Sequence, residues 1–176
     1  TNSYAIFATA NYNLSDNLQL GLGGRYSVVD KSVNWLLDGR NSGFFGIGTT
    51  RVGGVVAPLV NDRSDTSFTP TLSLTYKVNN ATSVYGRYAT GFKSGGFNLD
   101  YINANELAAN SGLEFDKETV ATYEVGVKTL TPRFNLSAAL FYSEFSDYQV
   151  NQFIVLDPTR NPPLTSIRIT NAASVV

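Results

Sequence analysis

The chain has 176 residues with 13 Lys plus Arg against 14 Asp plus Glu, a formal net charge of -1, and no His, Cys or Met. That balance excludes an electrostatic footprint for nucleic acid, and the missing Cys and His exclude a disulfide framework, thiol metal sites and the usual nucleophile and base pairs of an enzyme. With 12% aromatic residues and 15 Gly, and no run near the ~18 apolar residues of a membrane helix, the composition predicts an all-β chain that crosses any membrane with strands.

From residue 4 to 14, Tyr4, Ile6, Ala8, Ala10, Tyr12 and Leu14 share one face, with Phe7 as the large apolar residue on the other. After a turn at 15–17, a strand over 18–27 puts Leu18, Leu20, Leu22, Gly24 and Tyr26 on one side. Residues 28–66 lose the period and read as a long loop that could carry a short hairpin extension. Alternation returns over 67–78, where Phe68, Pro70, Leu72, Leu74, Tyr76 and Val78 oppose a polar row. A tight turn at Asn79, Asn80 and Ala81 leads to a strand over 82–93, and a second long loop covers 94–116. The strands 117–129 and 134–149 flank a turn around Pro132, which cannot extend a ladder. Residues 151–165 form a third loop, and a further strand begins near Ser166. The chain lacks an initiator Met and is expected to be a piece of a longer protein, with one partial domain over 1–176.

Three features predict a transmembrane barrel. Short turns alternate strictly with long loops, as periplasmic turns do with extracellular loops in outer-membrane barrels. On the apolar parity, Tyr12, Tyr76 and Phe134 cluster near the short turns while Tyr4, Tyr26, Phe68, Phe92 and Tyr142 cluster near the long loops. Two aromatic girdles at membrane interfaces give that distribution. Charges at Arg25, Lys77, Arg87, Lys93, Glu118, Glu124 and Lys128 all fall on the polar parity, which would face a hydrated lumen. Glu144 breaks the rule at the long-loop end, where a charge on the lipid face costs only about 0–1 kcal/mol.

The runs Tyr123-Glu124-Val125-Gly126-Val127-Lys128, Leu140-Phe141-Tyr142 and Asp147-Tyr148-Gln149 resemble the barrel of TonB-dependent outer-membrane receptors, as do Tyr88-Ala89-Thr90-Gly91-Phe92-Lys93-Ser94-Gly95-Gly96-Phe97-Asn98 and Asn171-Ala172-Ala173. The resemblance implies antiparallel transmembrane β-strands forming part of a twenty-two-stranded barrel in the bacterial outer membrane. Six strands and the start of a seventh would be an internal section, with the plug domain and TonB box outside this chain. Such open edges are not tolerated in lipid, so the remaining strands must complete the wall. The implied function is import of a scarce ligand, with a ferric siderophore expected and a saccharide or cobalamin as alternatives; the implied partners are the lipid bilayer, a plug domain, TonB and the ligand. A passive porin would show the same alternation. No enzymatic activity, cofactor or metal is expected. Gly21-Leu22-Gly23-Gly24 is a weak echo of a phosphate loop, but it lies inside a strand, so small residues in a crowded lumen explain it better.

Ligand contact is assigned to loop residues Trp35, Phe44, Phe45, Arg51, Phe97, Tyr101 and Arg160, because aromatic rings and guanidinium groups suit a planar, often anionic siderophore. The tight turn predicts Tyr76 opposite Val84, Leu74 opposite Gly86, Leu72 opposite Tyr88 and Phe68 opposite Phe92, with Gly86 covered by larger neighbours. The next hairpin is expected to put Val127 opposite Leu136, Val125 opposite Ala138 and Tyr123 opposite Leu140. Across the second long loop, Arg87 should face Glu124 and Lys93 should face Glu118 as structural ion pairs of the lumen wall.

Overall fold

The alternating segments pair with their neighbours in chain order. The structure, a computed structural model, describes residues 1–36, 58–98, 114–157, 159 and 161–175. Its strands are β1 (Asn2–Asn13), β2 (Leu18–Leu36), β3 (Pro58–Lys77), β4 (Thr82–Lys93), the two-residue β5 (Gly96–Phe97) and β6 (Glu114–Phe115), β7 (Glu118–Leu130), β8 (Asn135–Asp157) and β9 (Leu164–Val175). Seven of them form one antiparallel sheet in the order β1-β2-β3-β4-β7-β8-β9, and β5 pairs with β6 apart from it. Because the sheet is a meander, the three short turns lie at one end and the long connections at the other.

Among the described residues no second layer covers the apolar parity. Among the described residues Val33 is the buried apolar side chain, whereas Ile6 and Leu140 are 74% and 75% exposed. A soluble sandwich would bury that row between two sheets; here it is a continuous outward surface suited to lipid.

Turn chemistry explains the registers. Asn79 Oδ1 accepts the backbone N–H groups of Ala81 (2.8 Å) and Thr82 (2.9 Å), which fixes Tyr76 opposite Val84, Leu74 opposite Gly86 and Leu72 opposite Tyr88, as predicted. That ladder ends at Thr71 and Ala89, so the expected pairing of Phe68 with Phe92 does not form. Pro70, the next residue, has no N–H to donate, and Thr90 Oγ1 reaches its carbonyl instead. Gly86 is not covered either: a Cβ built there would meet nothing within 4 Å. Side chains stand away from the sheet plane, so its neighbours wall the gap without filling it.

The β7–β8 hairpin differs from expectation by two residues. Val127 faces Ala138, Val125 faces Leu140 and Tyr123 faces Tyr142. Thr131 closes the turn, its hydroxyl and N–H both bonding Phe134 O while Phe134 N donates to Thr131 Oγ1, so the loop centres on Pro132 and Arg133. A slip of two keeps every side chain on its predicted face, whereas a slip of one would invert them all.

Residues 28–36 and 58–66, read as loop from their lost alternation, continue β2 and β3 in unbroken register from Leu18 opposite Tyr76 to Leu36 opposite Pro58. Likewise β8 runs to Asp157 and β9 starts at Leu164. Beyond the Tyr26–Phe68 row the outward face is past the expected hydrocarbon span, and the inner face is covered by the polar stem of the loop between β4 and β7. Backbone pairing still holds there, but nothing demands an apolar row.

Candidate lumen wall and rim site

On the inward parity β1, β2 and β3 place their smallest residues together. Gly21 sits so close to Ser73 Oγ and Asn11 Oδ1 that a Cβ would come within 2.4 and 3.0 Å of them. Gly23 lies between Thr9 and Thr71 with more room, where a Cβ would make ordinary contacts at 3.5 and 3.6 Å. The result is an open concavity of about 580 Å³ with Phe7, Arg25 and Arg87 at its margins. Phe7, the aromatic on the unexpected face of β1, therefore belongs to the lumen wall. Arg25 Nε donates to Ser27 Oγ at 3.1 Å.

The wall around this concavity is cationic. Arg25, Lys77, Arg87 and Lys128 face inward in the membrane-spanning rows against Glu124, and Lys93 and Glu118 face inward one row above them. The β4–β7 register matches the prediction, with Arg87 opposite Glu124 and Lys93 opposite Glu118. Register does not decide contact, however. Glu124 accepts the Tyr85 hydroxyl at 2.5 Å, and Glu118 accepts the backbone N–H of Gln149 at 2.8 Å. The ion pairs between described residues belong to Arg63.

The reason lies at Gly126, directly across from Tyr85. With no side chain in the way, the phenol ring lies over the glycine, where a Cβ would come within 2.6 Å of the ring, and Lys128 Nζ stands 5.1 Å from its centroid. This posture aims the hydroxyl at Glu124. Gly126→Ala should push the ring aside and lower stability through the lost hydrogen bond. Tyr85→Phe should act in the same direction, both read as a lowered urea midpoint for the full receptor refolded into vesicles.

Above the wall, the stem of the loop between β4 and β7 is tied across the inner face. Arg63 and Asp65 are two apart on β3 and so share that face, and Lys31 pairs with Arg63 from β2. Asp65, 5% exposed, accepts Arg63 Nη2 at 2.9 Å and the Gly95 N–H at 2.9 Å. Lys31 Nζ donates to Gly95 O. Arg63 also reaches Glu114 and Asp116, each at 3.1 Å. Only glycine fits at position 95, because a Cβ would approach Phe115 O to 2.4 Å and the Arg63 guanidinium to 2.6 Å. Farther along, Gln149 Nε2 donates to Ser94 O and Asp116 O. The Asn171 amide bridges Asp116 and Asp147, and the Asn98 amide satisfies both backbone groups of Ile169.

Electrostatics reinforce this knot, which lies beyond the aromatic girdle. Burial pushes the Asp65 carboxyl up, but the hydrogen bonds and charge of Arg63, the Gly95 N–H and Lys31 outweigh it and hold the group below the usual carboxylate range. Arg63 is raised, chiefly by its hydrogen bond to Asp65.

Of the residues assigned to ligand contact, Phe97 lies in β5 opposite Glu114, and the Trp35 backbone lies in β2 opposite Leu59. Phe44, Phe45, Arg51, Tyr101 and Arg160 are outside the described residues. The rim residues Lys31, Arg63 and Asp65 carry no motif in the sequence, and Gln149 and Asn171 stand there only within the runs that carry the family resemblance. Their signal was slight: Arg63 and Asp65 share a parity only once the segment is known to be a strand.

A family model described as TonB dependent receptor-like, beta-barrel matches residues 1–175. The chain belongs to that family. Members of the TonB-dependent receptor family are outer-membrane proteins and receptors or transporters rather than an enzyme class. Three solved receptors share the fold. The ferric yersiniabactin uptake receptor FyuA of Yersinia pestis is 22% identical with a TM-score of 0.67, over 98% of this chain and 22% of that one. The ferric-catecholate import receptor Fiu of E. coli K12 is 17% identical with a TM-score of 0.64, over 85% and 22%. The alcaligin outer-membrane receptor FauA of Bordetella pertussis is 20% identical with a TM-score of 0.54, over 98% and 25%. This TonB-dependent receptor section thus spans about a quarter or less of their lengths.

Proposed function

We propose that the full receptor imports a ferric siderophore across the outer membrane, with this chain supplying lumen wall, rim and loop stems. A plug domain of the same receptor fills the lumen, and TonB delivers the energy through the N-terminal part. The observation that carries the reading is the cationic inner wall. Five inward cations face two carboxylates in a chain whose net charge is only -1, and such a wall favours an anionic cargo. The solved receptors for ferric yersiniabactin uptake and ferric-catecholate import named above add support for iron as the cargo.

In the intact receptor, Arg25→Ala with Arg87→Ala is expected to lower ferric siderophore uptake about tenfold, the worth of a charge-assisted hydrogen bond. Trp35→Ala, in the extension of β2, or Arg160→Ala should weaken ligand binding at the long-loop end. All should leave the folded amount in the membrane unchanged. Radioiron uptake by whole cells reads the effect. Uptake unaffected in every variant, or passage that persists without TonB, would contradict the proposal.

A further inference from the structure

Lys31 and Arg63 stand directly opposite each other across the β2–β3 ladder. Like charges in that position destabilise a sheet, so the pair needs acceptors close by. The loop stem supplies them. Gly95 O accepts from Lys31 Nζ, and Glu114 and Asp116 converge on Arg63 beside its own-strand partner Asp65.

The three carboxylates are not equivalent. Asp65 takes Nε and Nη2 of the guanidinium, and its side chain is 6% exposed. Glu114 and Asp116 are 38% and 78% exposed. The Asp116 backbone is held without its carboxylate, because Asn171 and Gln149 bond its N–H and C=O. Both exposed carboxylates can therefore turn into water by side-chain rotation, at the small cost of an exposed ion pair. Glu114 also shows what shape the place accepts. One of its oxygens takes the Asn61 amide at 2.6 Å and the other takes Arg63 Nη1 at 3.1 Å, so two donors on β3, two residues apart, grip a pair of anionic oxygens. As it stands the knot is neutral among the described residues, with Lys31, Arg63 and Lys117 against Asp65, Glu114 and Asp116. With Glu114 and Asp116 turned out it is cationic.

We propose that Asn61 and Arg63, with Lys31 across the ladder, form a rim site for a pair of anionic oxygens, carboxylate or catecholate, on the ferric chelate. Glu114 and Asp116 occupy this site in the unliganded receptor as displaceable internal ligands. The inference rests on the siderophore reading above and adds which groups meet the chelate and what competes with it. The site selects for charge. An anionic chelate exchanges with the carboxylates like for like on a planar guanidinium, whereas an uncharged one leaves Arg63 to its internal partners.

The test measures retention of two radioiron chelates by the full receptor, an anionic ferric tricatecholate and an uncharged ferric trihydroxamate. Glu114→Gln with Asp116→Asn should bind the anionic chelate about tenfold more tightly than the wild type and leave the uncharged one unchanged. Arg63→Gln should weaken the anionic chelate about tenfold. Because Arg63 also ties the stem, Lys31→Gln, which leaves Arg63 paired, should shift the same chelate in the same direction, and hydrogen exchange at 94–98 and 114–117 reports whether the stem is intact. Affinity for the anionic chelate that does not rise in the double variant with an intact stem, an equal gain for both chelates, or binding of neither would overturn the proposal. TonB-dependent iron uptake by whole cells separates the two readings: uptake that persists alongside any of these results removes the site alone, whereas a receptor that carries no ferric chelate removes the transport reading and the site with it.

Discussion

Asp65→Ala is expected to free the stem of the loop between β4 and β7. The substitution leaves Arg63, whose side chain is 13% exposed, without its nearest counter-charge and leaves the Gly95 N–H without an acceptor. Because Arg63 keeps Glu114 and Asp116 as counter-charges, the cost is that of a lost charge-assisted hydrogen bond and an unpaired buried N–H, about 1–3 kcal/mol. The loss should be local: hydrogen exchange should rise at 94–98 and 114–117 while the rows below Tyr26 keep their protection. Asp65→Asn should recover part of the loss, since an amide oxygen can still accept from Gly95. The pH dependence has a fixed sign. A carboxyl held below its ordinary value contributes stability that is complete above the unfolded pKa of about 3.9 and is lost as pH falls through the lowered folded value. The stem should therefore stay protected at pH 5, and a stem that opens between pH 7 and 5 would show that Asp65 does not hold it.

Val125→Arg should be the most damaging single change on the outward face. Val125 lies in the middle of β7, 59% exposed, opposite Leu140 on one side and Gly86 on the other. A guanidinium near the bilayer midplane costs about 2–4 kcal/mol. On the inward face one residue away, Gly126→Arg meets the Tyr85 ring but remains in water, so it should cost less. Unfolding of both variants from vesicles in guanidinium measures the difference. Equal losses would mean that the two faces do not differ in solvent.

The faces of the strands were legible because lipid and water impose a period of two, which the sequence keeps from 67 to 78 and from 121 to 128 without interruption. Register was legible at Asn79, whose side chain builds the turn it predicts. It slipped at Thr131, because a hydroxyl that closes the turn on Phe134 leaves no mark in the hydrophobic pattern. The β2–β3 extension was hidden for a related reason: above the girdle, pairing persists where patterning is no longer needed. Tyr123 shows what a slip of two changes. The outward face is preserved, but its partner becomes Tyr142 and a row of three rings forms. The rim knot depends on contacts more than fifty residues apart, such as Lys31 with Gly95 and Asn171 with Asp116, and no local pattern encodes them.

The inside and outside assignment is tested most directly by nitroxide labels on the full receptor in a lipid bilayer. Labels placed singly at Leu72, Val125 and Leu140 should relax with dissolved oxygen, which concentrates in hydrocarbon. Labels at Ser73, Gly126 and Ala139 should respond to a water-soluble nickel complex instead. An alternation that follows residue parity in both reagents is the predicted result. Leu72 and Leu140 relaxed by nickel and shielded from oxygen would turn the sheet inside out and contradict the account.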